Sequence, residues 1–219
     1  MSRYYYEFER VNAYCYPDSY VLRNKLDIQD SETLYEAERR LTGLNLLEIK
    51  EAPIKGKFDL RHLQAIHKYV FGDIYEWAGE LRTVNIAKGN QFCNYEHLET
   101  YADGVFKKLK AENYLIDTPS DEIHGRLTFY LSEINVLHPF REGNGRTQRV
   151  FIEYLAQTAG WHIDFSDVSD TEMIEASAEA FAMEYAQMTA MFERILSPIS
   201  KEEHQGFRKL LGLPKSLRK

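Results

Sequence analysis

Residues 138–149, His-Pro-Phe-Arg-Glu-Gly-Asn-Gly-Arg-Thr-Gln-Arg, gather the groups that phosphate chemistry needs. His138 titrates near neutral pH, so it can accept a proton from a hydroxyl group. Glu142 offers a hard oxygen ligand, suited to a Mg²⁺ ion whose other ligands are water and phosphate oxygens. Gly143 and Gly145 allow close approach of the backbone to a ligand and unusual φ/ψ angles. Together these residues predict a site that transfers a phosphate-containing group.

Two predicted helices must position this segment. Pro139 disfavours helical geometry in the residue before it, so the incoming helix is expected to end near Leu137. A second helix is expected from about Asn144, and its N-terminus offers N–H groups and a positive dipole end to an anion. Arg146 and Arg149 lie three positions apart on that helix, so both can face one polyphosphate. The apolar residues that mark this helix by their spacing are Val150, Phe151, Tyr154 and Leu155.

Each element of the segment also has an ordinary structural explanation. A histidine before proline is usually a loop residue, and Gly-Asn-Gly is usually a turn. A pair of arginines on a helix is usually a solvated face. The occurrence of all three, in order and between two helical patterns, favours the chemical interpretation.

The segment resembles the signature of the Fic family, His-x-Phe-x-(Asp/Glu)-Gly-Asn-Gly-Arg-x-x-Arg, at every defined position from His138 to Arg149. Residues 58–63 and 67–79 resemble the helices that precede the flap of this family, and residues 82–90 resemble the flap itself. The resemblance covers roughly residues 12 to 196 and is strongest to stand-alone bacterial Fic proteins and to the Fic domains of toxins and secreted effectors.

The expected architecture is an all-α, mainly helical Fic fold with one short β-hairpin flap beside the active site. Residues 1–30 are expected to form an N-terminal arm, residues 31–200 the Fic domain, and residues 201–219 a C-terminal helix and tail. Asp30 or Ser31 is predicted to cap the first helix. The predicted helices run from there to about Leu47, from Asp59, from Asn94 to about Asn113, up to His138, and from 144 to 159. Further helices are predicted between about Thr171 and Leu196, and a short one from Lys201 to Leu211. The face of the first helix expected to point inward consists of Leu34, Ala37, Leu41 and Leu44.

Residues 82–94 carry the one strand-like pattern. β-branched residues on either side of a Gly-containing turn predict a hairpin. The hairpin either merely closes the core, or presents an exposed edge that binds an extended segment of another protein through main-chain hydrogen bonds. The resemblance assigns this docking role, toward a target protein, to Ile86 and Phe92.

The chain has 219 residues, 44% of them hydrophobic, and a formal net charge of −7. The acidic balance argues against nucleic acid or an anionic membrane as a partner. Cys15 and Cys93 lack metal-ligand spacing and fit a reduced compartment. No secretory signal and no apolar run of membrane-spanning length are visible. We therefore expect the bacterial cytoplasm, or translocation into a host cell if the chain is part of a secreted effector.

The resemblance implies protein adenylyltransfer with ATP and Mg²⁺ as cofactors. His138 is expected to take the proton of a Ser, Thr or Tyr hydroxyl that attacks the α-phosphate, and Glu142 is expected to hold Mg²⁺. The residues expected to bind the nucleotide are Gly143, Asn144, Gly145, Arg146 and Arg149. Alternatives are transfer of UMP, phosphocholine or phosphate, or a nucleotide-binding regulatory module without catalysis.

Many Fic proteins restrain themselves through a Ser/Thr-x-x-x-Glu-Gly/Asn motif, whose glutamate pairs with the second signature arginine. The nearest strings begin at Thr171 and Thr189, and both lack the final Gly or Asn. The resemblance is therefore to the class restrained by a small antitoxin protein, which is expected to insert a Glu against Arg149. The target stays open between bacterial type II topoisomerase subunits and host small GTPases.

Overall fold

The computed structural model describes residues 5–6, 14–116 and 118–213 and is mainly helical, which confirms the expected class. Its α-helices are α1 (Ser31–Glu51), α2 (Leu60–Phe71), α3 (Leu98–Ala111), α4 (Ile123–Leu137), α5 (Asn144–Thr158), α6 (Asp170–Phe181), α7 (Ala186–Ile195) and α8 (Lys201–Leu210). Single 3₁₀ turns cover Tyr95–His97, Asn113–Leu115 and Phe165–Asp167. The basic tail predicted after residue 213 and most of the predicted arm before residue 14 lie outside the described residues.

Helix boundaries follow the capping signals in the sequence. Asp30 accepts a hydrogen bond from the N–H of Thr33 at 2.8 Å, and Asp59 accepts one from the N–H of His62 at 2.9 Å. Both caps were predicted, because a short carboxylate satisfies N–H groups that the first turn leaves without partners. Helices were predicted between about Thr171 and Leu196, and the structure has two there, α6 and α7. Met183 has φ 65° and separates α6 from α7.

The inward face of α1 differs from the predicted one. Leu44 was expected inside and is 59% exposed. The buried residues of α1 are Leu34, Glu38, Thr42 and Ile49. Apolar spacing alone misplaces this face, because Glu38 and Thr42 turn inward to meet a polar partner on α5.

The predicted hairpin is present as β2 (Ile86–Lys88) and β3 (Asn90–Gln91), paired antiparallel around Gly89, whose φ is 78°. One of the two alternatives gave the hairpin an exposed edge, but the edge of β2 opposite β3 is paired. Strand β1 (Tyr5–Tyr6) pairs with that edge, with Tyr6 opposite Ile86. The sheet order is therefore β1–β2–β3.

A second small sheet was not predicted. Strand β4 (Trp161–Ile163) pairs antiparallel with β5 (Leu196–Pro198). Its two strands follow α5 and α7 and are too short for alternation of apolar residues to mark them.

Helices α4 and α5 form the centre of the molecule. Helix α4 packs against α3, α6 and α7, and α5 packs against α2, α8 and β4. Their inward residues are fully buried, among them Ile134 and Leu137 on α4 and Phe151 and Leu155 on α5. Within the described ranges, no helix combines the length and apolar character needed to cross a membrane. The signature loop, residues 138–143, joins these two central helices, so two helices with fully buried inward faces position the predicted site.

Candidate active site

His138 ends α4 in a left-handed conformation, with φ 43° and ψ 60°. Such geometry costs a residue with a side chain about 1–3 kcal/mol, so the surroundings must hold it. The N–H of His138 donates to the carbonyl of Ile134 at 3.0 Å, and its own carbonyl accepts from Nε of Arg82 at 2.8 Å. The chain therefore reverses at this residue under restraint from two sides.

The imidazole of His138 is 5% exposed and lines a pocket. Its Nδ1 lies 3.2 Å from the carbonyl oxygen of Asn135, and because a carbonyl only accepts, Nδ1 carries the hydrogen. The neutral ring then has its lone pair on Nε2. Burial lowers the pKa of His138 to about 3, so the ring is neutral at physiological pH and can accept a proton. Phe92 stacks on this ring with centroids 3.7 Å apart.

Arg82 ties the base of the flap to the signature loop. Its guanidinium is buried and donates to the carbonyls of Val84 (2.8 Å), Cys93 and His138. Its backbone N–H donates to the carbonyl of Pro139 at 2.9 Å. Burial lowers the pKa of Arg82 to about 10, but the group stays charged and its fork of N–H donors joins both ends of the hairpin to one loop.

Glu142 lies in the same pocket, and its side chain is 25% exposed. One carboxylate oxygen accepts from the N–H of Gly143 at 3.0 Å. Burial and the nearby Glu38 carboxylate raise the pKa of Glu142. Among the described residues, no group of three or more His, Cys, Asp or Glu side chains could hold a metal. A single carboxylate beside an anion site fits Mg²⁺, which takes its remaining oxygens from phosphates and water.

The backbone of Glu142 is held by His67 on α2. The N–H of Gly79 donates to Nδ1 of His67 at 2.8 Å, so Nε2 carries the hydrogen and donates to the carbonyl of Glu142 at 2.9 Å. The ring stacks on Phe140 with centroids 3.9 Å apart, and burial lowers its pKa to about 4. The neutral ring therefore bridges the N–H of Gly79 and the carbonyl of Glu142, and so holds the signature loop in place.

The glycine-bracketed turn opens α5. Gly143 is the N-cap, with φ 80°, and a Cβ there would lie 2.3 Å from the ring of Phe71. Gly145 is exposed, and a Cβ there would approach only Nη1 of Arg149, at 3.6 Å. The first glycine is therefore required by the fold, whereas the second leaves space on the side that faces the pocket.

The side chain of Asn144 is buried and turned into the loop. Its amide exchanges two hydrogen bonds with the backbone of Phe140, at 2.9 and 2.8 Å. These bonds shape the turn and engage both ends of the amide, so contact of Asn144 with a ligand falls to its backbone N–H. That N–H and those of Gly145 and Arg146 precede the first intrahelical bond, from the N–H of Thr147 to the carbonyl of Gly143.

The two signature arginines have different surroundings. Arg146 donates to Glu38 and, at 3.0 Å, to Thr42, both on α1. Arg149 forms no ion pair with a carboxylate in the part of the chain that the structure describes. Burial and the proximity of Arg146 lower the pKa of Arg149. Arg149 is thus the cation of the pair whose charge is available to a ligand.

One pocket of about 410 Å³ unites these groups. The signature loop and α5 form one wall, and the flap forms a second with Lys88, Asn90 and Phe92. Helix α6 forms a third wall, and its lining residues are Asp170, Met173, Ile174, Ser177, Ala178 and Phe181. Of the predicted docking residues, Phe92 lines the pocket, whereas Ile86 is 2% exposed and belongs to the central strand of the small sheet.

Sequence reasoning missed Glu38, Arg82 and the α6 wall, and it did not single out His67. One signal was available, since Glu38 follows Leu34 by four positions and so occupies an inward position of a predicted helix. A charged residue on a buried face requires a partner. Nothing in the local sequence indicates that this partner is Arg146.

Residues 57–156 match the Fic/DOC family. The probable protein adenylyltransferase y4lH of Sinorhizobium fredii is 38% identical over 184 residues, which cover 83% of this chain and 94% of that protein. The chain belongs to the Fic/DOC family.

Two further proteins that are similar to the chain come from Bartonella species. Protein adenylyltransferase VbhT of Bartonella schoenbuchensis is 42% identical over 187 residues, covering 85% of this chain. The chain spans only 39% of that relative's length. The crystal structure of the N-terminal Fic domain of a VirB-translocated Bep effector from Bartonella quintana, with bound ADP, superimposes with a TM-score of 0.81 at 32% identity. That alignment covers 87% of this chain and 97% of the Bartonella quintana domain.

Proposed function

We propose that the chain transfers AMP from ATP to a Ser, Thr or Tyr hydroxyl of a target protein. The observation that carries the proposal is a single pocket lined by His138, the first turn of α5 and Arg149. A proton acceptor, anion-binding N–H groups and an available cation thus surround a volume suited to a nucleotide. Relatives named protein adenylyltransferase, which match most of the chain, support the same activity.

The nucleotide lies with its phosphates against the N-terminus of α5. The N–H groups of Asn144, Gly145 and Arg146 and the guanidinium of Arg149 bind the phosphate oxygens. The purine base lies against the apolar side chains of α6, where Met173 and Phe181 line the pocket. This orientation directs the α-phosphate toward His138, on the wall formed by the end of α4.

Glu142 is the residue that would hold Mg²⁺ together with the phosphates. When bound, the ion supplies neutralisation of phosphate charge. The carbonyl of Glu142 is fixed by His67, and its carboxylate by the N–H of Gly143, so the ligand oxygen is held in place before nucleotide arrives.

In the reaction, the hydroxyl oxygen of the target forms a bond to the α-phosphorus of ATP. The hydroxyl proton passes to Nε2 of His138. The bond between the α-phosphorus and the oxygen that bridges to the β-phosphate breaks, and pyrophosphate leaves with that oxygen. Arg149 and the N–H groups of α5 stabilise the negative charge. The imidazolium then returns its proton to water.

The target docks on the flap. An extended segment forms main-chain hydrogen bonds with the outer edge of β2, which is the edge that Tyr5–Tyr6 occupies in this structure. Docking therefore replaces β1. The ring of Phe92, stacked on His138, marks the place where the bound segment meets the proton acceptor.

Restraint by a separate antitoxin belongs to the same proposal. A glutamate from such a partner pairs with Arg149, which has no carboxylate ion pair among the described residues, and competes with the terminal phosphate. We place the activity in the bacterial cytoplasm, or in a host cell if the chain is carried there as part of a longer effector.

Labelled ATP tests the proposal. With Mg²⁺, bacterial lysate and ATP labelled at the α-phosphate, the chain should label a protein band, and ATP labelled at the γ-phosphate should not. His138→Ala should reduce labelling by about 10²–10⁴-fold. His162→Ala, a change at an exposed histidine outside the pocket, is the matched control and should label normally. Transfer from the γ-phosphate, or full labelling by His138→Ala, would refute the assignment.

A further inference from the structure

Glu38 on α1 is a buried carboxylate directed at the signature helix. It is 7% exposed, although α1 is otherwise largely a surface helix. One of its oxygens accepts from Nη2 of Arg146, and the other accepts from the hydroxyl of Tyr75 at 2.5 Å. Thr42, one turn further along α1, accepts from Nη1 of Arg146 at 3.0 Å. Both ends of the guanidinium are therefore held by α1.

Arg146 lies between two carboxylates. It is in contact with Glu38, whereas its Nη2 is 4.0 Å from Oε1 of Glu142. The face of its guanidinium lies 4.7 Å from the centre of the Phe71 ring. The guanidinium of Arg146 is thus held against α1, where it lies close to Glu142 but is bonded to Glu38.

We propose that Glu38 is a positioning residue that retains Arg146 and so leaves the Glu142 carboxylate to a nucleotide-bound Mg²⁺. The two signature arginines then divide their roles, since Arg146 is a structural cation and Arg149 binds phosphate. The inference rests on the proposed function, because it assigns Glu142 to the metal.

A buried charge needs a partner of opposite charge. Without the carboxylate of Glu38, the positive charge of Arg146 is left uncompensated in a buried site. The nearest remaining carboxylate is that of Glu142, 4.0 Å away. Arg146 then pairs with Glu142 and competes with the metal for it. Losses of this kind, in groups that orient a metal ligand, reduce metal affinity about 10–100-fold.

The test compares Glu38→Gln with Glu36→Gln, which removes the same charge from an exposed position of α1. Calorimetry measures ATP binding without metal and then as a function of Mg²⁺ concentration. For Glu38→Gln, the Mg²⁺ concentration that half-saturates tight ATP binding should rise about tenfold. Metal-free ATP affinity should not fall, because the pocket gains positive charge. Glu36→Gln should match the unmodified chain in both measurements.

An unchanged Mg²⁺ requirement in Glu38→Gln would overturn the proposal. Faster AMP transfer by this variant at low Mg²⁺ would also overturn it, because Glu38 would then act as a brake. Because binding is measured without catalysis, a chain that binds Mg²⁺–ATP as described but labels no protein would refute the proposed function and leave this inference standing.

A second variant covers the case in which Glu38→Gln does not fold. Changing Glu38→Met together with Arg146→Met removes both charges, and such apolar replacements of buried pairs usually preserve the fold. Methionine at position 146 keeps the backbone N–H that binds phosphate and removes only the guanidinium, which is bonded to α1. The double variant should therefore keep metal-free ATP binding and an unmodified Mg²⁺ requirement, whereas Arg149→Met should weaken metal-free binding at least tenfold. Loss of metal-free binding in the double variant would contradict the assignment of phosphate binding to Arg149.

Discussion

The signature loop and the flap meet at one pocket but are built in opposite ways. The loop joins the two central helices, and its backbone is anchored by His67, Arg82 and Asn144. The flap consists of strands of three and two residues, and residues 88–91 are exposed. The difference suggests that the chemical groups are fixed before binding, while the surface that receives a target can adapt to it.

Arg82 is the part that couples the two regions. Changing it to Met leaves one buried and two partly buried carbonyls without their donor, so we expect a loss of about 3–5 kcal/mol in the free energy of unfolding. AMP transfer should fall by at least a hundredfold, since the hairpin is no longer held against the loop. Chemical denaturation and labelling measure the two effects. Arg82→Lys keeps the charge but not the fork, and it should recover only part of each.

A stable Arg82→Met variant with normal transfer would show that loop and flap are positioned independently. In that case the signature loop would still be fixed and the flap adaptable, but a residue other than Arg82 would have to couple them.

Gly143 and Gly145 have different roles. The first is required by the fold, and the second leaves space for a ligand. Gly143→Ala places a Cβ 2.3 Å from the Phe71 ring at a positive φ, so stability should fall by about 2–4 kcal/mol. Gly145→Ala meets only Arg149 at 3.6 Å, and alanine favours a helix by up to about 1 kcal/mol. The Gly145→Ala variant should therefore be as stable as the unmodified chain or more stable, while its affinity for ATP should fall several-fold. Thermal unfolding and calorimetry distinguish the two patterns, and equal stability losses would contradict the comparison.

The two buried histidines of the loop region make stability depend on pH. Burial lowers the pKa of His67 to about 4 and that of His138 to about 3, from 6.5. As pH falls below 6.5 the unfolded chain binds protons that the folded chain does not, so stability should decline down to about pH 4 for the contribution of His67 and about pH 3 for that of His138. Each histidine contributes a slope of up to about 1.4 kcal/mol per pH unit.

Substitution isolates one of these contributions. His67→Gln cannot titrate, so the slope of unfolding free energy between pH 6 and about 4 should be smaller by roughly one histidine's share. Urea denaturation at several pH values measures the slope. An unchanged slope would mean that His67 is not held neutral beneath the loop.

The occupied edge of the flap gives the smallest expected effect. Replacing Tyr5 and Tyr6 by proline removes both backbone N–H groups of β1, so this strand has no donor left for β2. If the target replaces β1, its rate of modification should rise about two- to fivefold at limiting target concentration, since docking no longer competes with this strand. Tyr5→Ala with Tyr6→Ala keeps both donors and is the matched control. A lower rate in the proline variant alone would mean that β1 supports the flap.

The contiguous part of the site could be predicted from the sequence, because His138, Glu142 and the two glycines lie within residues 138–145, where α4 ends and α5 begins. The caps at Asp30 and Asp59 were equally local signals. Glu38, His67 and Arg82 could not be assigned their roles, since each acts on the loop across 55 or more intervening residues. Their partners are set by how α1, α2 and the hairpin pack, and helical spacing does not encode that packing.

The position of the break between α6 and α7, at Met183, and the pairing of β1 with β2 show the same limit. The left-handed residue between α6 and α7 is Met183 and not a glycine, so the sequence does not mark its position. Nothing in the sequence of Tyr5–Tyr6 indicates that this segment pairs with β2. The fold class therefore came from helical spacing together with the family resemblance, and the chemical residues from local pattern, whereas the supporting contacts required the structure.

A crystal structure with a non-hydrolysable ATP analogue and Mg²⁺ tests the central claim most directly. We expect phosphate oxygens within hydrogen-bond distance of the N–H groups that open α5 and of Arg149, with the α-phosphorus facing Nε2 of His138. Phosphates bound away from the N-terminus of α5, or a His138 ring turned away from the α-phosphorus, would contradict it.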